Sequence, residues 1–177
     1  LGIWAIFTTS YAQFTDSFTD LDFTITPTWS GDQADYEVTL GMELHLNAPA
    51  VSATKYLSTP STAIDNANWE FTSRIDVNPS GSNYTDIYLV SSSADLSGSL
   101  NGYFVRVGGT TDEVSLFKQT GTTQTEIIDG IDDLVDVSMP NVKVQVTRTA
   151  TGDWELLADT TSGFTGYVSQ GTITDND

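Results

Sequence analysis

The sequence predicts an all-β fold, and within that class an antiparallel jelly-roll sandwich. Apolar and polar residues alternate through most of the chain, which is the period of a half-buried strand. Turn-forming residues separate these runs at a spacing of about 8–12 residues, as in sandwiches and barrels. The length of 177 residues exceeds the ~100 of one immunoglobulin-like domain, and no linker divides the chain. We therefore predict two large sheets in a single domain over residues 13–177.

Alternation locates the strands in order along the chain. The predicted strands cover residues 36–46, 56–57, 68–77, 84–90, 103–107, 114–118, 142–147 and 154–157. The run over residues 68–77 is the clearest, because Trp69, Phe71, Ile75 and Val77 share one face and polar residues occupy the other.

Turn residues explain where these strands end. Clusters of Gly, Asn, Ser and Pro favour reversals at residues 78–83, at Gly108 and Gly109, and at residues 151–153. Residues 126–135 fit either a strand followed by a loop or a single helical turn, and periodicity leaves both open.

The amino-acid composition excludes several classes of binding partner and metal site. Lys and Arg total 6 against 24 Asp and Glu, which gives a formal net charge of −18. Such a surface repels phosphate backbones and anionic lipid, so we expect no nucleic-acid partner and no membrane insertion of the mature chain. The hydrophobic fraction of 38% is sufficient for a core. Because the chain has no cysteine, disulfides and thiolate metal sites are excluded.

Residues 1–12, LGIWAIFTTSYA, have the pattern of a signal peptide remnant. An apolar run gives way to small and polar residues before Gln13, as signal peptidase requires. The alternative is a first β-strand, since Ile, Trp and Phe also suit strands. The signal interpretation predicts a secreted protein whose mature chain begins at Gln13.

Several short motifs resemble one family of domains. They are FTDSFTDLDF at 14–23, PTWSGD at 27–32, YLSTP at 56–60, NWEF at 68–71, LSGSLNGYFV at 96–105 and GDWEL at 152–156. Together they resemble the N-terminal concanavalin A-like (laminin-G-like) domain of secreted surface proteins of gliding-type Bacteroidetes. The resemblance implies a jelly roll at the bacterial cell surface, commonly followed by further β-sandwich modules and a C-terminal type IX sorting domain.

The chain departs from that pattern at its end. The sequence reaches Asp177, where the family usually continues into the final strands of the sandwich. The resemblance therefore implies a domain that lacks its last strands, either through truncation or because those strands come from elsewhere. An unpaired sheet edge invites strand addition. If the strands come from elsewhere, we expect the partner to be a neighbouring chain that completes the sheet.

Catalysis finds little support in the sequence. Hydrolases built on this jelly roll usually place their two catalytic carboxylates on one strand within a Glu-x-Asp-x-x-Glu run, and this chain has no such run. His45 is the only histidine, and its alternation with Leu44 and Leu46 predicts an exposed strand residue rather than a general base. We therefore expect that this protein is not an enzyme.

One strand face carries the candidate ligand site. Ile87, Val105 and Leu116 belong to three different predicted strands. If their side chains point into the core, the residues next to each of them along the strand must point to the opposite face. The predicted ligand-binding residues on that face are Asp86, Tyr88, Phe104, Arg106 and Phe117. Lectin-like jelly rolls bind glycans on such a face. The alternative is packing of these rings against another protein surface.

Acidic loops suggest a calcium site. The predicted ligands are Asp129, Asp132 and Asp133, which share one loop with Gly130. A second cluster, Asp16, Asp20 and Asp22, is the alternative, and neither has the spacing of a dedicated calcium loop.

These observations favour a non-catalytic, lectin-like adhesive module that binds polysaccharide or a surface protein. The alternatives are a structural assembly or spacer unit of a surface protein or filament, and a glycoside hydrolase whose paired carboxylates meet only in the folded chain.

Overall fold

The structure is a computed structural model that describes residues 13–177, so the predicted signal peptide lies outside the described residues. The chain is all-β with antiparallel pairing throughout its assigned sheets, and residues 13–177 contain no α-helix. Consequently, no helix in the described part is long and apolar enough to cross a membrane. The contacts divide the described chain into an N-terminal unit that ends at Ser61 and a C-terminal unit, Thr62–Asp177. One domain over residues 13–177 stays a prediction.

The N-terminal unit contains short antiparallel pairs. Its strands are β1 (Ser30–Gly31), β2 (Tyr36–Val38), β3 (Leu44–Leu46) and β4 (Leu57–Ser58), with a 3₁₀ turn at Gln33–Asp35. β1 pairs with β4, and β2 pairs with β3. The single strand predicted over residues 36–46 is therefore a hairpin, because the chain reverses between Thr39 and Glu43. His45 lies on β3 with Nδ1 at 3.3 Å from Glu37 Oε1.

Two four-stranded sheets form the C-terminal unit. Its strands are β5 (Ala67–Arg74), β6 (Tyr84–Ser91), β7 (Leu100–Gly108), β8 (Glu113–Gly121), β9 (Thr123–Ile128), β10 (Asn141–Arg148), β11 (Asp153–Asp159) and β12 (Val168–Thr174). One sheet has the order β12-β11-β10-β5 and the other β6-β7-β8-β9. Hairpin turns at Gly108–Gly109 and at residues 149–152 confirm two of the predicted reversals.

Both sheets contribute one face to a shared hydrophobic core. Alternate residues of β7 and β8 are completely buried, among them Val105, Val107 and Leu116. Alternate residues of β10 and β11 oppose them in the same cluster, including Val144 and Trp154. The period of two in the sequence therefore correctly predicts the core face of these strands. The arrangement is a β-sandwich.

Two segments refine the sequence prediction. β5 ends at Arg74, and Val77 is 49% exposed, so the predicted strand over 68–77 is too long. Residues 126–135 form the end of β9 followed by a loop that carries a turn. In this loop, which runs over residues 129–140, Val135 is completely buried in the core. That burial explains the apolar residues which made a helical turn plausible.

Ionic contacts hold the segment after β12 against the other sheet. The Lys118 ammonium donates to both oxygens of Asp175, at 3.0 and 2.9 Å. The Tyr103 hydroxyl donates to Asp175 Oδ1 at 2.9 Å, and Trp154 Nε1 donates to the Asp175 carbonyl at 3.3 Å. Burial raises the pKa of the Asp175 carboxyl, but the Lys118, Asp177 and Tyr103 hydrogen bonds outweigh it, so the pKa lies below its ordinary value.

Asp175→Asn is expected to destabilise the protein at neutral pH and progressively less in acid. A depressed native pKa gives stability that is present above the ordinary carboxyl value of 3.8 and is lost as pH falls below it. Urea unfolding of both proteins between pH 7 and pH 3 measures the difference. Asp132→Asn, on the exposed loop, is the matched control and should leave the unfolding midpoint unchanged. A pH-independent difference for Asp175→Asn would contradict the role of this ion pair.

Candidate functional site

The predicted ligand-binding residues lie together on one face of the β6-β7-β8-β9 sheet, which we call the outer face because it is opposite the core. The register places Asp86 beside Arg106 and Tyr88 beside Phe104. Phe104 in turn pairs with Phe117 of β8. Five residues from three strands thus form one contiguous cluster.

Arg106 is the centre of that cluster. Its Nε and Nη2 donate to the two carboxylate oxygens of Asp86, each at 2.8 Å, in a bidentate pair. Its guanidinium carbon lies 4.1 Å from the ring centre of Tyr84 and 4.9 Å from that of Phe117. The Asp86 hydrogen bonds raise the pKa of Arg106 above its usual value. The guanidinium is therefore fixed in position and largely neutralised.

Phe104 lies on the expected face but is completely buried. It stacks on Phe117 with ring centres 5.2 Å apart, and its ring centre is 4.9 Å from that of Tyr88. Phe104 therefore supports the rings of Tyr88 and Phe117 from below, and its predicted role in ligand binding stays a prediction. Alternation determines the face of a residue, whereas its exposure depends on the neighbouring side chains.

Tyr88 is also partly withdrawn from solvent. Its hydroxyl donates to Gln119 Oε1, and burial raises the pKa of the Tyr88 phenol. The Gln119 Nε2 donates hydrogen bonds to the carbonyl oxygens of Gly98 and Gly121, at 3.1 and 2.8 Å. The Tyr88 hydroxyl is thereby tied through Gln119 to the loop that precedes β7, and the role of Tyr88 in ligand binding stays a prediction.

A shallow cleft of about 220 Å³ opens beside Arg106. It receives side chains from every strand of the sheet, and the turn between β7 and β8 closes one end. The strand residues that line it are Tyr84, Arg106, Glu113, Phe117 and Glu126. Of the predicted residues, Arg106 and Phe117 reach the cleft, whereas Asp86, Tyr88 and Phe104 do not line it.

Sequence reasoning missed Tyr84 and Glu113. Tyr84 is 44% exposed and offers its ring to the cleft. Tyr84 lies two positions before Asp86, and Glu113 lies two positions before Ser115, which alternation places on the same face as Phe117. Extending the alternation by one step at each strand start would have included both residues.

Three carboxylates meet at one end of the cleft. One oxygen each from Glu113, Glu126 and Asp129 lies within 4.8 Å of the other two. Glu113 is only 5% exposed, and its Oε2 has no hydrogen-bond partner among residues 13–177. The pKa of Glu113 is raised to about 7, mainly by burial and also by the Glu126 carboxylate. Hydrogen bonds with Ser115 and Thr111 lower the pKa and so oppose part of this shift.

The predicted calcium ligands are only partly brought together. Asp129 joins Glu113 and Glu126, which lie on β8 and β9. Within the described chain, that cluster is the one set of three acidic or histidine side chains close enough to share an ion, and it includes neither Asp132 nor Asp133. The loop continues past Asp129 to the β7–β8 turn, where the Asp133 amide donates to the Thr111 carbonyl at 2.9 Å.

The alternative cluster near Asp16 is used for local structure. Asp16 accepts from Trp29 Nε1 at 2.8 Å and from the Phe18 amide at 3.0 Å. Asp22 accepts from the Thr24 hydroxyl at 2.7 Å. These bonds organise the chain around Trp29, whose ring meets Phe14 edge to face at 6.2 Å.

The outer face can therefore present an exposed aromatic ring, a fixed guanidinium and a carboxylate cluster to one ligand.

Comparisons with protein-family models, with curated proteins and with solved structures gave no match to this chain.

Proposed function

We propose that this chain is a non-catalytic, lectin-like adhesive module, secreted to the bacterial cell surface, which binds carbohydrate on the outer face of the β6-β7-β8-β9 sheet. The finer architecture proposed is a concanavalin A-like jelly roll with this sheet as its concave side. The observation that carries the proposal is the exposed ring of Tyr84 stacked against the fixed guanidinium of Arg106 at the rim of the cleft. Sugar rings stack on aromatic faces, and their hydroxyls accept from guanidinium groups.

Charge favours a neutral glycan over an acidic one. The net charge of −18 repels anionic polymers, and Asp86 neutralises the only cation that lines the cleft among the described residues. Binding to a neutral polysaccharide should therefore change little between low and high salt.

The size of the cleft favours weak binding to a long ligand. Its volume of about 220 Å³ is below the roughly 300–1,000 Å³ of pockets that enclose a drug-sized molecule. A polysaccharide would contact it with one short segment and leave the remainder in solvent. Several modules in one surface protein would then supply avidity.

Tyr84→Ala is expected to weaken carbohydrate binding at least about tenfold, because it removes the exposed stacking ring. The full chain would be screened on a glycan array and on neutral polysaccharides, with and without calcium. Tyr167→Ala is the matched control, since Tyr167 bonds Glu70 of β5 on the opposite sheet. No binding by well-folded protein across the panel, or equal losses in both variants, would overturn the proposal.

A second candidate is a structural assembly unit, which the open sheet edges favour. Within the described residues, β6 and β9 each pair on one side only, and most of β9 is exposed. A strand from a neighbouring chain could add to either edge. Sedimentation analysis over a range of concentrations would test this role. A strictly monomeric protein would argue against it.

A third candidate is glycoside hydrolysis, favoured by the meeting of Glu113 and Glu126 in a cleft. The burial of Glu113 argues against it, because a general acid must reach the glycosidic oxygen. Activity on aryl glycosides that is lost in Glu126→Gln would favour this candidate over the lectin.

A further inference from the structure

We propose that Glu113, Glu126 and Asp129 bind one divalent cation, with Ca²⁺ as the preferred ion. The three residues come from the start of β8, from β9 and from the loop that follows β9. The site differs from the one expected from the sequence, because two of its three ligands lie outside the loop of Asp129, Asp132 and Asp133.

The distances between the carboxylates fit a shared ion. Calcium–oxygen bonds of about 2.3–2.6 Å place two ligand oxygens at most about 5 Å apart across the ion. Each of the three residues offers an oxygen within 4.8 Å of the other two, so one ion can contact all three. In the absence of a cation, the same approach brings three acidic groups into mutual repulsion.

Glu113 provides the independent indication of a ligand. Its side chain is 95% buried, and its Oε2 is completely withdrawn from solvent without a hydrogen-bond partner in the described chain. A buried carboxylate oxygen with no partner loses its hydration without compensation. A cation between Glu113, Glu126 and Asp129 would restore that compensation.

The backbone around the site is held closely. Gly130 donates its amide to Ser115 Oγ at 3.0 Å, and a Cβ atom at position 130 would lie 2.2 Å from the Val114 carbonyl oxygen. Only glycine permits this approach of the loop to β8. Asp129, the preceding residue, is thereby positioned beside Glu113.

The chemistry of the donors selects a hard cation. All three donors are carboxylate oxygens, which suit calcium and magnesium rather than the imidazole- and thiolate-binding metals. Glu126 and Asp129 are exposed, so water or a sugar hydroxyl can complete the six to eight ligands that calcium takes. Magnesium demands a tighter octahedron, and a cluster with this spacing and two exposed ligands fits calcium better.

The site adjoins the carbohydrate cleft without depending on it. Glu113 and Glu126 line both, so a bound ion could accept a hydroxyl of the glycan. Binding of the ion alone needs no carbohydrate, and the proposal therefore stands or falls separately from the lectin function.

The test is calorimetric titration of the full chain with CaCl₂ at about 0.15 M NaCl, which screens diffuse binding to the acidic surface. We expect one Ca²⁺ per chain and a higher thermal unfolding midpoint on binding. Glu126→Gln, an exposed position that should not affect folding, is expected to weaken affinity at least about tenfold because it removes one ligand charge. Asp132→Asn is the matched control on the same loop and should change affinity less than about twofold.

A second pair of variants tests whether the close approach of the loop at Gly130 positions Asp129 for calcium binding. Gly130→Ala should abolish calcium binding by displacing Asp129, whereas Gly98→Ala, whose Cβ would meet no atom within 4 Å, should leave it intact. Absence of heat and of a midpoint shift with folded wild-type protein would overturn the proposal. Equal losses in Glu126→Gln and Asp132→Asn would also overturn it, since they would indicate diffuse attraction to the acidic surface.

Discussion

Replacing Trp154 by alanine is expected to lower the free energy of unfolding by about 3–5 kcal/mol, the range for deleting a large buried aromatic side chain. Trp154 is 1% exposed and lies where the two sheets of the C-terminal unit meet. Its ring stacks on Trp69 with centres 5.7 Å apart and contacts the tilted ring of Tyr103, whose centre is 4.5 Å away. The substitution would leave a cavity between the sheets and would remove the hydrogen bond to the Asp175 carbonyl.

Urea unfolding followed by fluorescence and circular dichroism measures this loss. Tyr84→Ala is the control, because it removes an exposed aromatic ring from the same unit and should cost far less. Equal destabilisation by the two variants would contradict the assignment of Trp154 to the centre of the core.

Arg106→Ala is expected to cost about 2–3 kcal/mol of stability and to weaken carbohydrate binding at least tenfold. The two effects have one origin, since Arg106 pairs with Asp86 and also covers Phe104, whose ring centre is 5.5 Å from the guanidinium. Removal of Arg106 leaves the half-buried Asp86 carboxylate without its partner and exposes the ring of Phe104 to water. Arg106→Lys should recover only part of both losses, because an ammonium cannot make the bidentate pair.

A double-mutant cycle with Asp86→Ala separates the ion pair from the stacking. Strong coupling between the two positions is expected in stability. If Arg106→Ala and Asp86→Ala were additive, the bidentate pair would not account for the position of the guanidinium. Carbohydrate binding that survives Arg106→Ala would exclude this side chain from the proposed site.

The period-two pattern predicts the strands well where both sheets bury one face. Val105, Val144 and Leu116 are completely buried, as their alternation requires. The pattern is less reliable in the N-terminal unit, where a reversal at Gly41 and Met42 interrupts the run over residues 36–46. A short turn without a strong Gly-Asn or Pro-Gly signal leaves little trace in the alternation.

The candidate site is less accessible to sequence reasoning because it depends on tertiary contacts. Alternation correctly assigns Arg106 and Phe117 to the outer face, but it cannot tell that neighbouring side chains cover Phe104. The burial of Glu113 has a similar origin, since the residues that approach it, Glu126 and Asp129, come from later segments of the chain. Only the folded chain brings those carboxylates together.

The pairing of Arg106 with Asp86 has a thermodynamic consequence for any ligand of the outer face. A long side chain that becomes immobile only on binding costs about 0.5–1.5 kcal/mol in lost rotamers. Arg106 is already held by two hydrogen bonds and by ring contacts before a ligand arrives. Its rotamer entropy is therefore lost during folding rather than during recognition, so even a small contact area at this face can yield measurable affinity.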